Sequence, residues 1–110
     1  MLQKLNSTHR QNVFEFCYQR ERENLFILGS FETYPDTFQV NRFYGCFAGD
    51  KLIGLGVYFE SFGNFVINAQ SKGVIERILD FGLQDGAKIE TVACFAKYAE
   101  VMLKRLKEQY

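Results

Sequence analysis

Gln70-Ser71-Lys72-Gly73-Val74-Ile75 is the stretch whose residue types best suit chemistry. It stands where a β-branched and aromatic run, Phe65-Val66-Ile67-Asn68-Ala69, gives way to Val74, Ile75, Ile78, Leu79 and Gly82 at helical spacing. A helix that starts here offers its first backbone N–H groups to solvent. With the helix dipole behind them, those groups suit an anion such as a phosphate. Gly73 lets the backbone come close to a ligand, and Lys72 adds positive charge. The same residues have a plainer reading, in which Ser71 caps the helix, Gly73 eases the turn and Ile75 fills the core. Both readings stand at this stage.

Other chemistries find little support. The sequence has no GxSxG, no HExxH and no P-loop. Its one histidine, His9, has nothing in sequence that brings it to a cysteine or serine nucleophile. Cys17, Cys46 and Cys94 are far apart and set among apolar neighbours, without a CxxC pair, so they read as buried free thiols and no metal site is expected. Thirteen basic residues balance thirteen acidic ones, and only Lys104-Arg105-Leu106-Lys107 is locally basic. That argues against a nucleic-acid partner, whose phosphates call for a basic excess. The start, Met1-Leu2-Gln3-Lys4-Leu5, lacks the apolar run of a signal peptide, and no segment has membrane-spanning length. A cytoplasmic protein without a membrane partner is expected. Tyr58, Phe59, Phe62 and Phe65 either fill a core or line a pocket for a small molecule or a partner.

The elements that must position these residues follow from period and punctuation. A chain of 110 residues with 47% apolar residues, among them 12 Phe and 6 Tyr, fits one domain over 1–110 with a core that needs no staple. Leu2 and Leu5 flank a short edge strand, and Ser7 or Thr8 offers a cap to a helix carrying Val13, Phe16, Cys17 and Arg20 on one face. Asn24 offers a cap to a second helix that Gly29 ends or bends, and residues 33–41 read as a loop. Phe43 to Ala48 and Lys51 to Phe59 are strands about a Gly49-Asp50 turn, and Gly63-Asn64 turns the chain into a third strand. Gly45, Gly54 and Gly56 within them mark bulges or close backbone approach. After the helix that begins near Ser71 and stops at Asp85-Gly86, residues 89–95 read as a strand. That strand pairs in parallel if the helix is the crossover. A last helix carries Phe95, Ala99, Met102, Leu103, Leu106 and Tyr110.

The resulting α/β (α+β) order is strand, two helices, three-strand meander, helix, strand, helix. It resembles the GNAT acetyltransferase superfamily over nearly the whole chain, and lacks the two strands with which that family closes its mixed sheet. Tyr44 to Gly56 is similar to the family's second and third strands, where a small turn precedes K-(L/I)-(I/V)-G, here Lys51-Leu52-Ile53-Gly54. Asn24-Leu25-Phe26-Ile27-Leu28-Gly29 resembles the non-catalytic N-terminal half of tandem GNAT proteins, in which a degenerate copy precedes an active one.

The resemblance implies acetyl-CoA as cofactor, with Gln70, Ser71, Lys72, Gly73 and Val74 at the place of the family's Q/R-x-x-G-x-G/A phosphate motif. Gln70 and Gly73 agree with that pattern. Ile75 stands where the family keeps a small residue, so it crowds either the phosphates or the helix packing unless it belongs to the core. In the family's A-x-x-(L)-Y motif a tyrosine protonates the departing thiolate; the matching stretch here, beginning at Ala99, puts Leu103 in that place, and leucine donates no proton. Glu60 is the one carboxylate near where the family's general bases sit, and its other reading is a solvated strand residue. No residue is therefore assigned to catalysis. The reading is a GNAT-like domain that is non-catalytic by itself. It would be the N-terminal domain of a longer protein or a stand-alone relative, and would shape a substrate cleft or pair with a second GNAT-like domain or a second copy. Two alternatives stay open: an active N-acetyltransferase, and a small-molecule sensor or protein-interaction module.

Overall fold

The computed structural model describes residues 1–69, 71–93 and 107. Strand β1 (Leu2–Leu5) leads through a short turn of 3-10 helix into α1 (Arg10–Gln19), followed by α2 (Leu25–Thr33) and a single-turn α3 (Thr37–Val40). The meander is β2 (Arg42–Ala48), β3 (Lys51–Phe59) and β4 (Asn64–Ala69); α4 (Lys72–Gln84) crosses over to β5 (Thr91–Ala93). Strands lie in the order β1-β2-β3-β4-β5, antiparallel from β1 to β4, with β5 parallel to β4 through the Asn64↔Thr91, Phe65↔Val92 and Val66↔Ala93 pairs. This is the mixed α/β order read from the sequence as far as β5. The expected final helix, with Ala99 and Leu103, lies outside the described residues, as do Cys94 and Gln70.

The sheet is filled from both faces because side chains alternate along each strand. Leu5, Phe43, Leu55, Val57, Phe59 and Val66 meet Val13, Phe16 and Cys17 of α1 and Ile27 and Phe31 of α2. On the other face Tyr44, Cys46, Tyr58, Phe65 and Ile67 meet Ile75, Ile78 and Leu79 of α4. Those three α4 side chains are fully buried, and each such burial stabilises by about 1.5–3 kcal/mol. Gly54 and Gly56 set how closely α4 approaches. A Cβ at Gly54 would lie 2.4 Å from Val74 Cγ1, and one at Gly56 2.4 Å from Ile78 Cγ2. The register shifts where Cys46 pairs with Gly54 and Phe47 with Leu52, which leaves Ile53, next to Gly54, as the extra residue.

Local chemistry departs from the sequence expectations at four places. Asn6, rather than Ser7 or Thr8, makes the first cap, its Oδ1 accepting from Thr8 N at 2.9 Å. Asn24 does not cap α2; its Nδ2 donates back to Arg20 O at 3.0 Å, so it closes the end of α1. Gly29 does not end α2, which continues to Thr33. Residues 37–40 form α3 instead of loop, because buried Thr37 accepts from Asn41 Nδ2 and donates to Ser30 Oγ, giving the segment an anchor that its composition hides.

Candidate functional site

The α4 N-terminus follows directly on β4, a strand with neighbours on both sides. Ser71 is extended (φ −132°, ψ 146°), and its Oγ accepts from Val74 N at 3.3 Å. Ile75 N donates to Ser71 O at 3.2 Å. The N–H groups of Lys72 and Gly73 then have no acceptor within the helix. Both residues are exposed, and a Cβ built on Gly73 meets nothing within 4 Å. Ile75, two residues on, turns inward and is fully buried against the sheet. Of the places the sequence left to it, Ile75 takes the core, so its bulk does not stand over the turn. Ser71, Lys72, Gly73 and Val74 are thus together at an open helix start carrying one ammonium, with Val74 half-buried over Gly54.

Glu60 lies elsewhere. It follows the last residue of β3, exposed, with its carboxylate paired to Arg42 and its backbone N–H donating to Asn41 Oδ1 at 3.3 Å. Five strand steps, about 17 Å, separate Phe59 from Gly54, the partner of Ala69, so Glu60 stands at the opposite end of β3 from the start of α4.

At Glu60's end of the sheet the sequence reading missed a network. Arg42 Nη1 donates to Asp85 O at 2.6 Å, Tyr44 Oη donates to Asp85 Oδ2 at 2.7 Å, and Lys4 Nζ reaches the same oxygen at 2.9 Å. The donated Tyr44 hydroxyl, and then Lys4, hold the Asp85 carboxyl below its ordinary range, while burial pushes the Tyr44 hydroxyl well above its own. Arg42 also lies over the Tyr58 ring at 5.7 Å. Arg42 and Tyr58 border a polar cavity of about 430 Å³ that Glu60, Lys88 and Glu90 also line. Arg42 and Asp85 are 43 residues apart, so no spacing could announce their meeting.

The aromatic set is divided by strand alternation. Phe65 and Tyr58 face α4, Phe59 faces α2, and all three are buried; Phe62 alone is exposed, at 55%. Tyr58 Oη donates to Lys88 O at 2.7 Å. Phe59 and Phe62 instead border an apolar groove of about 370 Å³ on α2. Among the described residues no group of His, Cys, Asp and Glu could hold a metal ion, and no helix is long and apolar enough to cross a membrane.

No family model matches the chain, and no curated protein matches it. Among solved structures, the crystal structure of a probable acetyltransferase matches with a TM-score of 0.58 at 13% identity, over 98% of this chain and 87% of that one. At that identity the likeness speaks for the fold alone. The fold is GNAT-like, similar to that of this one probable acetyltransferase.

Proposed function

We propose that this GNAT-like domain holds the pyrophosphate of acetyl-CoA at the start of α4 and does not complete acetyl transfer by itself. Ser71, Lys72, Gly73 and Val74 would form the cradle, with Gln70 beside them. The observation that supports it is the open turn: exposed Gly73 with nothing near its Cα hydrogens, N–H groups at a helix start, and Ile75 directed away into the core. The likeness to a probable acetyltransferase points the same way. The non-catalytic half of the reading draws on Glu60, the one carboxylate singled out as a base, which is engaged by Arg42 at the far end of the sheet. It also draws on Leu103 in the family's tyrosine place. The domain then works in the cytoplasm beside a second GNAT-like domain, as the N-terminal half of a longer protein, or beside a second copy of itself.

Isothermal titration tests the cradle. Acetyl-CoA should bind saturably and Gly73→Trp, whose Cβ would meet nothing within 4 Å, should abolish binding while the circular dichroism stays unchanged. Absence of binding to the wild-type chain would overturn the cofactor reading. Turnover of acetyl-CoA with a panel of amines would overturn the non-catalytic one and make the chain an active N-acetyltransferase.

A further inference from the structure

Helix α2 leaves an apolar face uncovered. Leu25 is 60% exposed, Phe26 and Phe62 are 55% exposed, and Tyr34, just past the helix, is 38% exposed. They rim the 370 Å³ groove, whose floor is Gly29, Ser30 and Thr33. At about 200 Å² per large side chain these four expose on the order of 400 Å². That is as large as the largest apolar patch on an ordinary monomer, and such patches are commonly functional.

Gly29 and Ser30 stand at the middle of the groove's α2 wall. Phe26 and Thr33 stand equally far from the midpoint between those two, as do Leu25 and Tyr34. Laid antiparallel on its own copy about that point, the helix sets large Phe26 against small Thr33 twice over, as contact across a twofold axis requires. At about 100° per residue, the midpoint of Gly29 and Ser30 points the same way as Phe26 and Thr33, so the axis would emerge through the exposed stripe. Gly29 has nothing within 4 Å of its built Cβ, which leaves space for a second backbone to come near.

The floor is also ready to lose water. Ser30 Oγ donates to Ile27 O at 2.7 Å and Thr33 Oγ1 to Gly29 O at 3.2 Å. Covering them strands no hydroxyl donor, which removes the usual penalty for burying a polar group. Glu32 is the one charged residue between Leu25 and Thr33. Depletion of charge is the compositional mark of an interface centre.

We infer that a second copy of this chain docks on α2, the two helices running antiparallel and crossing at Gly29 and Ser30, with Phe26 of each over Thr33 of the other. Two patches of on the order of 400 Å² make an apolar centre of roughly 800 Å² in total, enough for the middle of a small interface near 1,200 Å² and short of an obligate one. The dimer is therefore reversible. This inference rests on the reading that the domain works beside a second copy, and is independent of the cofactor.

Sedimentation equilibrium of wild type, Gly29→Arg and Tyr18→Lys tests it. Tyr18 is 59% exposed on α1 and outside the groove, so its variant is the control. Wild type should dimerise with a dissociation constant on the order of 10–100 μM. Gly29→Arg should weaken this by about 30-fold or more, as loss of an interface centre does, and Tyr18→Lys should leave it unchanged. Gly29→Cys should in addition form a disulfide-linked dimer under mild oxidation, in a chain with its other cysteines replaced by serine or alanine. Association that Gly29→Arg does not weaken overturns this surface and leaves self-association standing. A wild-type chain still monomeric at about tenfold higher concentration overturns both. A thermal melt of Gly29→Arg that matches wild type excludes unfolding as the cause.

Discussion

One substitution made in two helices should have opposite signs. Gly29 in α2 and Gly82 in α4 are both helical glycines, and alanine in place of either gains about 1 kcal/mol of helix propensity. At Gly29 the new methyl meets nothing within 4 Å, so Gly29→Ala should stabilise by about 0.5–1 kcal/mol. At Gly82 it would lie 2.3 Å from Phe65 Cε2 and 2.7 Å from Cζ. The Phe65 ring has nowhere to retreat: it is fully buried, and it lies 5.7 Å from the Tyr44 ring and 6.1 Å from that of Tyr58. Overpacking of this kind costs about 1–3 kcal/mol or more. Set against the propensity gain, Gly82→Ala should destabilise by about 1–2 kcal/mol. In a domain of this length that lowers Tm by about 4–8 °C, whereas Gly29→Ala raises it by about 2–4 °C. Urea unfolding at low micromolar concentration, where self-association does not contribute, measures both. The double variant Gly82→Ala/Phe65→Leu should recover part of the loss, since the two sites are coupled through one contact. A Gly82→Ala chain as stable as wild type would refute the placement of α4 against β4.

The carboxylate of Asp85 gives a pH dependence. A carboxyl held below its ordinary range stabilises the fold fully above the unfolded value, near 3.9, and loses that contribution as pH falls through the lower folded value. Between about pH 5 and 2 the urea midpoint of wild type should therefore fall further than that of Asp85→Asn, with Tyr44→Phe intermediate; parallel profiles would refute the linkage. Asn68→Ala should cost about 2–3 kcal/mol, because Asn68 Nδ2 donates to Glu23 O at 3.0 Å and to Asn24 Oδ1 at 2.7 Å inside the protein. Its effect should not add to that of Asn24→Ala, and additive losses measured by urea unfolding would sever the two. Burial pushes the Cys17 thiol up to about 12. Iodoacetamide at pH 8, followed by peptide mapping, should thus modify Cys17 only in urea, and rapid labelling of the native chain would contradict its burial.

Period and punctuation carried the fold a long way. The switch from alternation in β3 and β4 to the stripe Ile75, Ile78, Leu79 and Gly82 located α4 within two residues, because a half-buried strand and an amphipathic helix have different repeats. Glycine at 49 was legible for the same reason: the hairpin turn needs a positive φ, and Gly49 takes +63°. What escaped was tertiary. Asn24 closes α1 instead of capping α2 because its amide finds Arg20 O behind it and Asn68, 44 residues ahead, beside it. The α3 turn escaped because Thr37 is anchored by Ser30 and Asn41. At the site, Ser71, Lys72 and Gly73 could be placed at a helix start from local pattern alone. The inward turn of Ile75 depended on where the helix begins, and helix starts are the least certain part of such a reading.

The sheet keeps the two proposed surfaces apart, and this decides how they can act together. Helix α2 packs with α1 on the face carrying Phe43, Val57 and Phe59, whereas α4 packs on the opposite face over Tyr44, Phe65 and Ile67. A copy docked across Gly29 therefore does not stand over Gly73, and a phosphate held at Gly73 does not touch α2. The strands between them are fixed in register at both ends, by the β3–β4 pairing from Gly54↔Ala69 to Phe59↔Asn64 and by the network of Arg42, Tyr44 and Asp85. A sheet held in one register at both ends transmits little coupling free energy. Association through α2 should then bring two cradles into one assembly without altering the affinity of either. Gly29→Arg should lose the dimer and keep its acetyl-CoA affinity, and Gly73→Trp should do the reverse. A cradle that binds only in the dimer would mean that the second copy supplies part of it, and would overturn this division of faces.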